Sequence, residues 1–343
     1  MAKTQSQPTA QKPKLQALYC MAPIAYNSMF GKFLHEIGEL VNVYAPLQSR
    51  KSITEDPSVL AKMEILFSGW GGPKMDAAFL KAAPNLKAVF YSGGSMRQVA
   101  TDAFWASGIP ITCALEANGY SVANYAISQI LWLLRRGWYY ALKIREEKAW
   151  PQHIPVAGDY QSTVGIISLG TIARRVCKVL HDSFDVKLLA YSTSANPQTA
   201  RELGLEYGSL EDVFRRSDVV SLHTGWLKET EGMITGDHFR MMKQGASFVN
   251  NARGAVIRQD EMIQALRDRP DIWAVLDVTW PEPPVAGSPL YTLPNVVMTP
   301  HIGGPLDGEC LRNGKAMLDD LKLFLAGKPM QCQIGAERAR RLA

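Results

Sequence analysis

Cysteine is scarce in this sequence, and its few copies are widely separated. The 343 residues contain five cysteines, with no Cys-x-x-Cys pair and no Cys/His cluster. Closely spaced thiols are the pattern of a zinc site or a disulfide framework, so we predict neither, and no other metal site. Isolated thiols are typical of small buried side chains in a reducing compartment, which predicts a cytoplasmic location. The cysteines are Cys20, Cys113, Cys177, Cys310 and Cys332.

Long apolar runs and a strong excess of one charge are also missing. No apolar stretch is long enough to span a bilayer, so a membrane partner is not expected. The net charge is only +5 and the basic residues are scattered, which argues against nucleic-acid binding but is compatible with an anionic small molecule. Residues 1–13 are polar and lack the apolar middle of a signal peptide, so we expect them to be disordered.

Short apolar runs alternate with helical patterns along two stretches of the chain. This alternation predicts an α/β fold with doubly wound parallel sheets, and the length favours two domains. The segment 121–150 reads as one long helix rich in aromatic residues. Such a helix is a connector between domains or the surface of a homodimer, and core packing is the plain alternative. The predicted strands are 15–20, 41–45, 64–67, 86–91 and 109–112, then 163–167, 186–191, 218–222, 246–249, 273–277 and 295–298.

The segment 163–175 has the pattern of a dinucleotide-binding turn. An apolar strand runs through a tight turn into a helix, whose first free amides and dipole suit a pyrophosphate. The three small positions of the Gly-x-Gly-x-x-Gly/Ala fingerprint are occupied here by Ser168, Gly170 and Ala173. Ser168 departs from that pattern, and an ordinary strand-to-helix turn explains this segment equally well.

The end of the next strand leaves the choice of dinucleotide open. The fingerprint expects an acidic residue there to bind the ribose hydroxyls, but the position is Ser192. A hydroxyl tolerates a 2′-phosphate, yet the loop has no Arg to bind one. The residues therefore favour neither NAD(H) nor NADP(H).

Three polar side chains follow three apolar strands of the second series. Arg253, Glu282 and His301 each stand just past a predicted strand end. Alone, each has a plain explanation as an ion-pair partner, a loop carboxylate or a turn residue. Their coincidence at the edge where open α/β sheets bind ligands indicates an active site.

Segment 86–304 resembles the D-isomer-specific 2-hydroxyacid dehydrogenases, of the glycerate/hydroxypyruvate reductase kind. The most specific matches are Asn251-Ala-Arg-Gly254, Leu276-Asp-Val278 with Glu282-Pro283, and Thr299-Pro-His-Ile-Gly303. The resemblance implies a Rossmann NAD(P)-binding domain, residues 117–304, inserted in a flavodoxin-like substrate domain made of residues 14–116 and 305–343. It places the active site in the cleft between them.

The resemblance also implies a role for each matching residue. Arg253 would bind and polarise a 2-oxo acid, His301 would be the acid/base, and Glu282 would favour its protonated imidazole. The substrate carboxylate would be bound by Ser92, Gly93, Gly94 and Arg253. The cofactor would be bound by Ser168, Gly170, Thr171, Ile172, Ser192, His223, Thr224, Ala252, Arg253, Asp277, His301 and Gly303.

These matches predict an NAD(P)-dependent oxidoreductase that interconverts a small 2-oxo acid and a D-2-hydroxy acid, with NAD(H) as the first expectation and NADP(H) as the second. Glyoxylate, hydroxypyruvate and pyruvate remain open as substrates. The alternative is a non-enzymatic dinucleotide sensor of the corepressor kind, while a formate dehydrogenase would carry Gln in place of Glu282. Departures from the family pattern are Ser168, Ser192, Asn124, Gly225-Trp226 and Met96-Arg97-Gln98.

Overall fold

Two compact units make up the computed structural model, which describes residues 13–341. Unit 1 comprises the chain up to Ala114 together with Cys310–Ala339, and unit 2 has its main part in Leu115–Glu309. The assignment of a substrate domain and a cofactor domain to these parts stays a prediction. Residues 1–13 were expected to be disordered, and residues 1–12 of this segment lie outside the described residues.

Unit 1 contains a parallel sheet whose strands are short and largely buried. Its strand order is β2-β1-β3-β4-β5, the flavodoxin-like order of a doubly wound sheet. The strands are β1 Gln16–Cys20, β2 Asn42–Val43, β3 Ile65–Ser68, β4 Ala88–Tyr91 and β5 Ile111–Cys113.

Unit 2 contains a longer parallel sheet with the order β12-β11-β10-β9-β6-β7-β8. Counted from β6, this is the Rossmann order 3-2-1-4-5-6 with one further strand at the edge, and the predicted fold class is confirmed. The sequence prediction missed β8, a three-residue edge strand that follows Gly204 directly. The strands are β6 Thr163–Ile167, β7 Lys187–Tyr191, β8 Leu205–Tyr207, β9 Val219–Leu222, β10 Ser247–Asn250, β11 Trp273–Leu276 and β12 Val296–Met298.

Helices connect these strands and flank both sheets. In unit 1 they are α1 Pro23–Ala25, α2 Leu34–Leu40, α3 Arg50–Glu55, α4 Ala77–Ala82 and α5 Asp102–Ala106, with a π-helical turn at Tyr26–Phe30. In unit 2 they are α6 Leu115–Leu134, α7 Gly137–Glu147, α8 Thr171–Ser183, α9 Pro197–Leu203, α10 Leu210–Arg216, α11 Gly236–Arg240 and α12 Gln259–Asp268. The chain ends with α13 Leu311–Leu325 and α14 Ala336–Arg340, and 3₁₀ turns lie at Gly31–Phe33, Pro57–Leu60, Gly254–Val256, Pro289–Tyr291 and Asp307–Cys310.

The prediction of one long helix over 121–150 was wrong. The chain forms α6 and α7 instead, and Arg136 between them adopts a left-handed conformation with φ 52°. Gly137 then lies against the Trp132 ring so closely that a Cβ there would be 2.1 Å from the ring. Trp138 donates from Nε1 to Gln129 Oε1 at 2.9 Å, which fixes the two helices together. Apolar periodicity alone does not reveal such a break, because it indicates which face of a helix is buried and not where a single residue leaves the helical conformation.

The core of unit 2 has two halves, one on each face of its sheet. Alternate residues of β6 contribute to opposite halves, with Val164 and Ile166 on one face and Ile167 on the other. In unit 1 the rings of Tyr19, Phe67 and Phe90 stack across neighbouring strands. Within residues 13–341, no helix is both long and apolar enough to cross a membrane.

Gly314 in α13 lies directly against the backbone of the π-helical turn. A Cβ at this position would be 1.7 Å from the carbonyl oxygen of Met29, an atom that cannot move aside without the backbone. We therefore expect Gly314→Ala to lower the free energy of unfolding by about 2 kcal/mol or more. Urea unfolding followed by circular dichroism measures this.

Gly38→Ala in α2 is the matched control. A Cβ at Gly38 meets nothing within 4 Å, so alanine should stabilise this helix by up to about 1 kcal/mol. Equal stability of Gly314→Ala and the wild type would contradict the close packing of α13.

Candidate active site

His301 and Glu282 are hydrogen-bonded to each other on two loops of unit 2. His301 Nδ1 lies 2.5 Å from Glu282 Oε1, and the two side chains are 50% and 40% exposed. Glu282 follows β11 and His301 follows β12, two neighbouring parallel strands whose carboxyl ends share one edge of the sheet. A carboxylate can only accept hydrogen bonds, so this contact matches the ring tautomer that has its hydrogen on Nδ1.

The loop that carries His301, residues 299–304, is fixed by the carboxylate of Asp277. This side chain is 2% exposed and follows β11. Its Oδ1 accepts from Ile302 N at 2.8 Å and from Thr299 Oγ1 at 2.7 Å, and its Oδ2 accepts from Gly303 N at 2.8 Å. A Cβ at Gly303 would be 2.7 Å from Oδ2, so only glycine lets the carboxylate approach this closely.

The same network reaches α6 through Tyr125. Its hydroxyl lies 2.6 Å from Thr299 Oγ1, and burial raises the pKa of Tyr125 to about 12. The hydroxyl therefore stays protonated at neutral pH and can donate to Thr299, which in turn donates to Asp277. Sequence reasoning missed Tyr125 and Thr299 as members of the site, because no local pattern relates positions 174 residues apart.

The loop of Arg253 is held by side chains that the sequence prediction also missed. Asn250, the last residue of β10, accepts from Ala252 N at 3.0 Å and donates to Arg253 O at 3.1 Å. Arg253 Nη1 donates to Ala252 O at 2.6 Å. A Cβ at Gly254 would be 2.1 Å from the carbonyl carbon of Thr279, so the loops after β10 and β11 are in direct backbone contact.

The turn between β6 and α8, residues 168–170, has a serine at the first glycine position of the fingerprint. Ser168 has φ 71°, the left-handed conformation that glycine adopts most easily. Its Oγ lies 2.8 Å from Thr224 Oγ1, at the end of the adjacent strand β9. The predicted cofactor residues Ser168 and Thr224 therefore contact each other, and this hydrogen bond stabilises the unusual backbone of the serine.

The first turn of α8 fits a pyrophosphate group. Gly170 is the N-cap residue and no side chain caps this end. The first intrahelical hydrogen bond runs from Arg174 N to Gly170 O, so the amides of Thr171, Ile172 and Ala173 point out of the helix end. A Cβ at Gly170 would meet nothing within 4 Å, which leaves space for a ligand beside these amides.

His223 and Ser192 follow the strands on either side of β6. His223 follows β9, and burial lowers its pKa to about 4, so the ring is neutral at pH 7. Its Nε2 lies 3.0 Å from Ser221 Oγ. Ser192 follows β7 and its Oγ accepts from Ser194 N at 3.2 Å, in an exposed loop. Neither side chain can carry a negative charge at pH 7, so neither repels the phosphates of a dinucleotide.

The remaining predicted residues belong to unit 1. Ser92, Gly93 and Gly94 follow β4, and Ser92 is fully buried. The Ser92 amide donates to Ser68 O at 2.8 Å and its hydroxyl donates to the same oxygen at 2.9 Å. The predicted carboxylate-binding role of this loop therefore depends on the amides of Gly93 and Gly94.

Asp277→Asn should loosen the His301 loop. Asparagine has an NH₂ group in place of one of the two carboxylate oxygens. In either orientation this group faces a donor, namely Gly303 N or the two donors at Oδ1, so at least one buried N–H group loses its acceptor. We expect the free energy of unfolding to fall by about 1–3 kcal/mol. Hydrogen exchange of a peptide covering 299–304 should become faster. Asp237→Asn, at an exposed ion pair on α11, is the control and should change neither the free energy of unfolding nor the exchange rate. An unaltered exchange rate in Asp277→Asn would contradict the role of Asp277 in fixing this loop.

The lowered pKa of His223 predicts a pH-dependent stability. The unfolded chain binds a proton at this side chain below about pH 6.5, whereas the folded chain binds it only below about pH 4. Unfolding therefore takes up a proton in this window, and the free energy of unfolding decreases as the pH falls from 6.5 to 4. In His223→Asn this slope should shrink by up to about 1.4 kcal/mol per pH unit. The exposed His153→Asn is the control, and equal slopes in both variants would refute the burial effect.

Comparisons with known proteins agree with this architecture. A family model described as "D-isomer specific 2-hydroxyacid dehydrogenase, NAD binding domain" matches residues 127–303. The human "Glyoxylate reductase/hydroxypyruvate reductase" is 32% identical over 267 residues, which cover 76% of this chain and 80% of that protein. The "D-3-phosphoglycerate dehydrogenase" of Mycobacterium tuberculosis is 32% identical over 254 residues, 74% of this chain and 48% of that protein. The chain thus spans about half the length of these phosphoglycerate dehydrogenases.

A solved structure shows the same fold at lower identity. The holo form of the D-mandelate dehydrogenase of Rhodotorula graminis has a TM-score of 0.79 and 24% identity, covering 94% of this chain and 98% of that one. The resemblance read from the motifs at 251–254, 276–283 and 299–303 is confirmed by the family match. The chain belongs to the D-isomer-specific 2-hydroxyacid dehydrogenase family, and the family's NAD-binding domain model matches its residues 127–303.

Proposed function

We propose that the chain is an NAD-dependent oxidoreductase that interconverts a small 2-oxo acid and the corresponding D-2-hydroxy acid. The observation that carries this proposal is the pairing of His301 Nδ1 with Glu282 Oε1 at 2.5 Å, beside the loop of Arg253 in a domain of the NAD-binding type. The activities named for the relatives, which act on hydroxy acids and oxo acids, support the same reaction class.

In this reaction His301 donates the proton during reduction and accepts it during oxidation. When bound, the nicotinamide supplies a hydride to the carbonyl carbon of the oxo acid, or accepts it in the reverse direction. Negative charge develops on the carbonyl oxygen, and His301 donates the proton on Nε2 to it. Glu282 stabilises the doubly protonated imidazole before transfer and fixes the Nδ1–H tautomer afterwards.

Arg253 binds the substrate. Its planar guanidinium matches a carboxylate with two parallel hydrogen bonds and can also polarise the adjacent carbonyl. The hydrogen bonds of Asn250 to Ala252 N and Arg253 O, together with the contact of Gly254 with Thr279, hold the backbone from which this side chain extends. In unit 1 the amides of Gly93 and Gly94 are proposed as further donors to the substrate carboxylate.

We also propose a homodimer. Apolar side chains of α6, α7 and the segment that follows are exposed to solvent in the single chain, which is unusual for large rings. Burial of this surface against a second copy would remove it from water. The residues are Trp132, Leu142, Ile144 and Trp150.

The assignment of His301 is tested by His301→Ala. We expect reduction of 2-oxo acids to fall by at least about 100-fold, because a positioned acid/base contributes that much, while the Kd for NADH stays within about twofold. Stopped-flow reduction of glyoxylate, hydroxypyruvate and pyruvate with NADH and NADPH measures the rate, and quenching of tryptophan fluorescence measures the Kd. D-3-phosphoglycerate and D-mandelate test the oxidation direction.

His35→Ala, an exposed histidine of α2, is the matched control and should keep full activity. The reduction rate of Glu282→Gln should lie between those of His35→Ala and His301→Ala, since His301 keeps its ring but loses its carboxylate partner. Wild-type turnover in His301→Ala would refute the assigned role. Wild-type protein that binds NADH but turns over none of these acids would favour the dinucleotide-sensing scaffold instead.

A further inference from the structure

Arg175, one turn into α8, is a cation that the proposed chemistry does not use. Its Nε is buried and makes no hydrogen bond to any other described residue. The guanidinium carbon lies 3.7 Å from the centroid of the Tyr120 ring, so the side chain is held by a cation–π contact. Such a contact fixes the plane of a guanidinium but leaves its N–H groups at the edge available to a ligand.

A cavity of about 190 Å³ lies beside this guanidinium, between α6 and α8 of unit 2. Two of its lining residues, Thr171 and Arg175, are on α8, and three come from α6. A space of this size holds several water molecules or part of a larger ligand. The α6 residues are Glu116, Gly119 and Tyr120.

The cavity adjoins the first turn of α8. Thr171 is the first residue of the helix, and positions 171 and 175 lie on one face because they are four residues apart. Thr171 and Arg175 line the same cavity, so Arg175 borders the space beside the helix end at which the amides of Thr171, Ile172 and Ala173 are exposed. A full positive charge thus lies near the partial charge of the helix end.

We propose that Arg175 is a cofactor-binding residue, which contacts the pyrophosphate of the dinucleotide from this cavity. The inference rests on the proposed function, and it adds a side-chain cation to a cradle that otherwise consists of backbone amides. A guanidinium is the side chain best suited to donate two hydrogen bonds to one phosphate.

Glu116 on the α6 wall defines the ligand more closely. A carboxylate repels a bare anion but accepts hydrogen bonds from hydroxyl groups. The cavity therefore suits a nucleotide, whose phosphate meets Arg175 and whose sugar hydroxyls can meet Glu116, better than it suits inorganic phosphate.

The experiment compares the Kd for NADH, NADPH and ADP-ribose in Arg175→Ala, Arg175→Lys and the wild type, measured by calorimetry. Arg175→Ala should weaken all three about tenfold or more, since hydrogen bonds to charged groups typically contribute that much. Arg175→Lys keeps the charge but not the planar fork, so its loss should be smaller. Inorganic phosphate at millimolar concentration should not compete.

Lys178→Gln is the matched control, because it removes one positive charge from the same helix at a surface ion pair with Asp182. It should change each Kd by less than about twofold. Loss of NADPH binding alone in Arg175→Ala would overturn the inference, since the contact would then be to the 2′-phosphate. An equal loss in Lys178→Gln would also overturn it, as would unchanged binding in Arg175→Ala while the wild type binds NADH. A wild type that binds no dinucleotide would instead refute the proposed function, and the inference with it.

Discussion

The buried carboxylate of Asp277 is the constraint on which the candidate site depends. A carboxylate with almost no exposure to water must satisfy its oxygens inside the protein, and here the partners are two amides and one hydroxyl of the loop that carries His301. Two contacts therefore set the position of the imidazole. Asp277 fixes the loop that carries it, and Glu282 contacts the ring itself. One carboxylate fixes the backbone of the loop, and the other contacts Nδ1 of the ring.

Parallel pairing explains why distant parts of the sequence meet at this point. β10, β11 and β12 are neighbours in register, so the residues that follow them share one edge. Arg253, Glu282 and His301 each follow one of these strands, and the close approach of Gly254 to Thr279 brings two of the loops into contact. The fold supplies the proximity, and the loops supply the chemistry.

Much of this was predictable from the sequence, for identifiable reasons. Buried parallel strands such as β6 and β9 read as continuous apolar runs, so both sheets were foreseen apart from β8, an edge strand of three residues with little apolar signal. Glu282 and His301 were predicted to lie together because each follows a strand at the same edge of the sheet, and the structure brings them into contact. Tyr125, Thr299 and Asn250 were not found, because their importance lies in hydrogen bonds that only the three-dimensional structure creates. The break at Arg136 escaped prediction because the spacing of apolar residues does not indicate one left-handed backbone residue between two helices.

Ser168 carries a consequence for the thermodynamics of ligand binding. A serine in the left-handed region pays about 1 kcal/mol that a glycine would not, yet the serine also has fewer backbone conformations to sample. In the folded chain, the contact of its hydroxyl with Thr224 restricts the backbone conformation of Ser168 further. The conformation of this turn is therefore restricted by the chain itself, without a ligand. In the proposed cofactor site, such a turn would lose less conformational entropy on ligand binding than a glycine turn, which favours affinity.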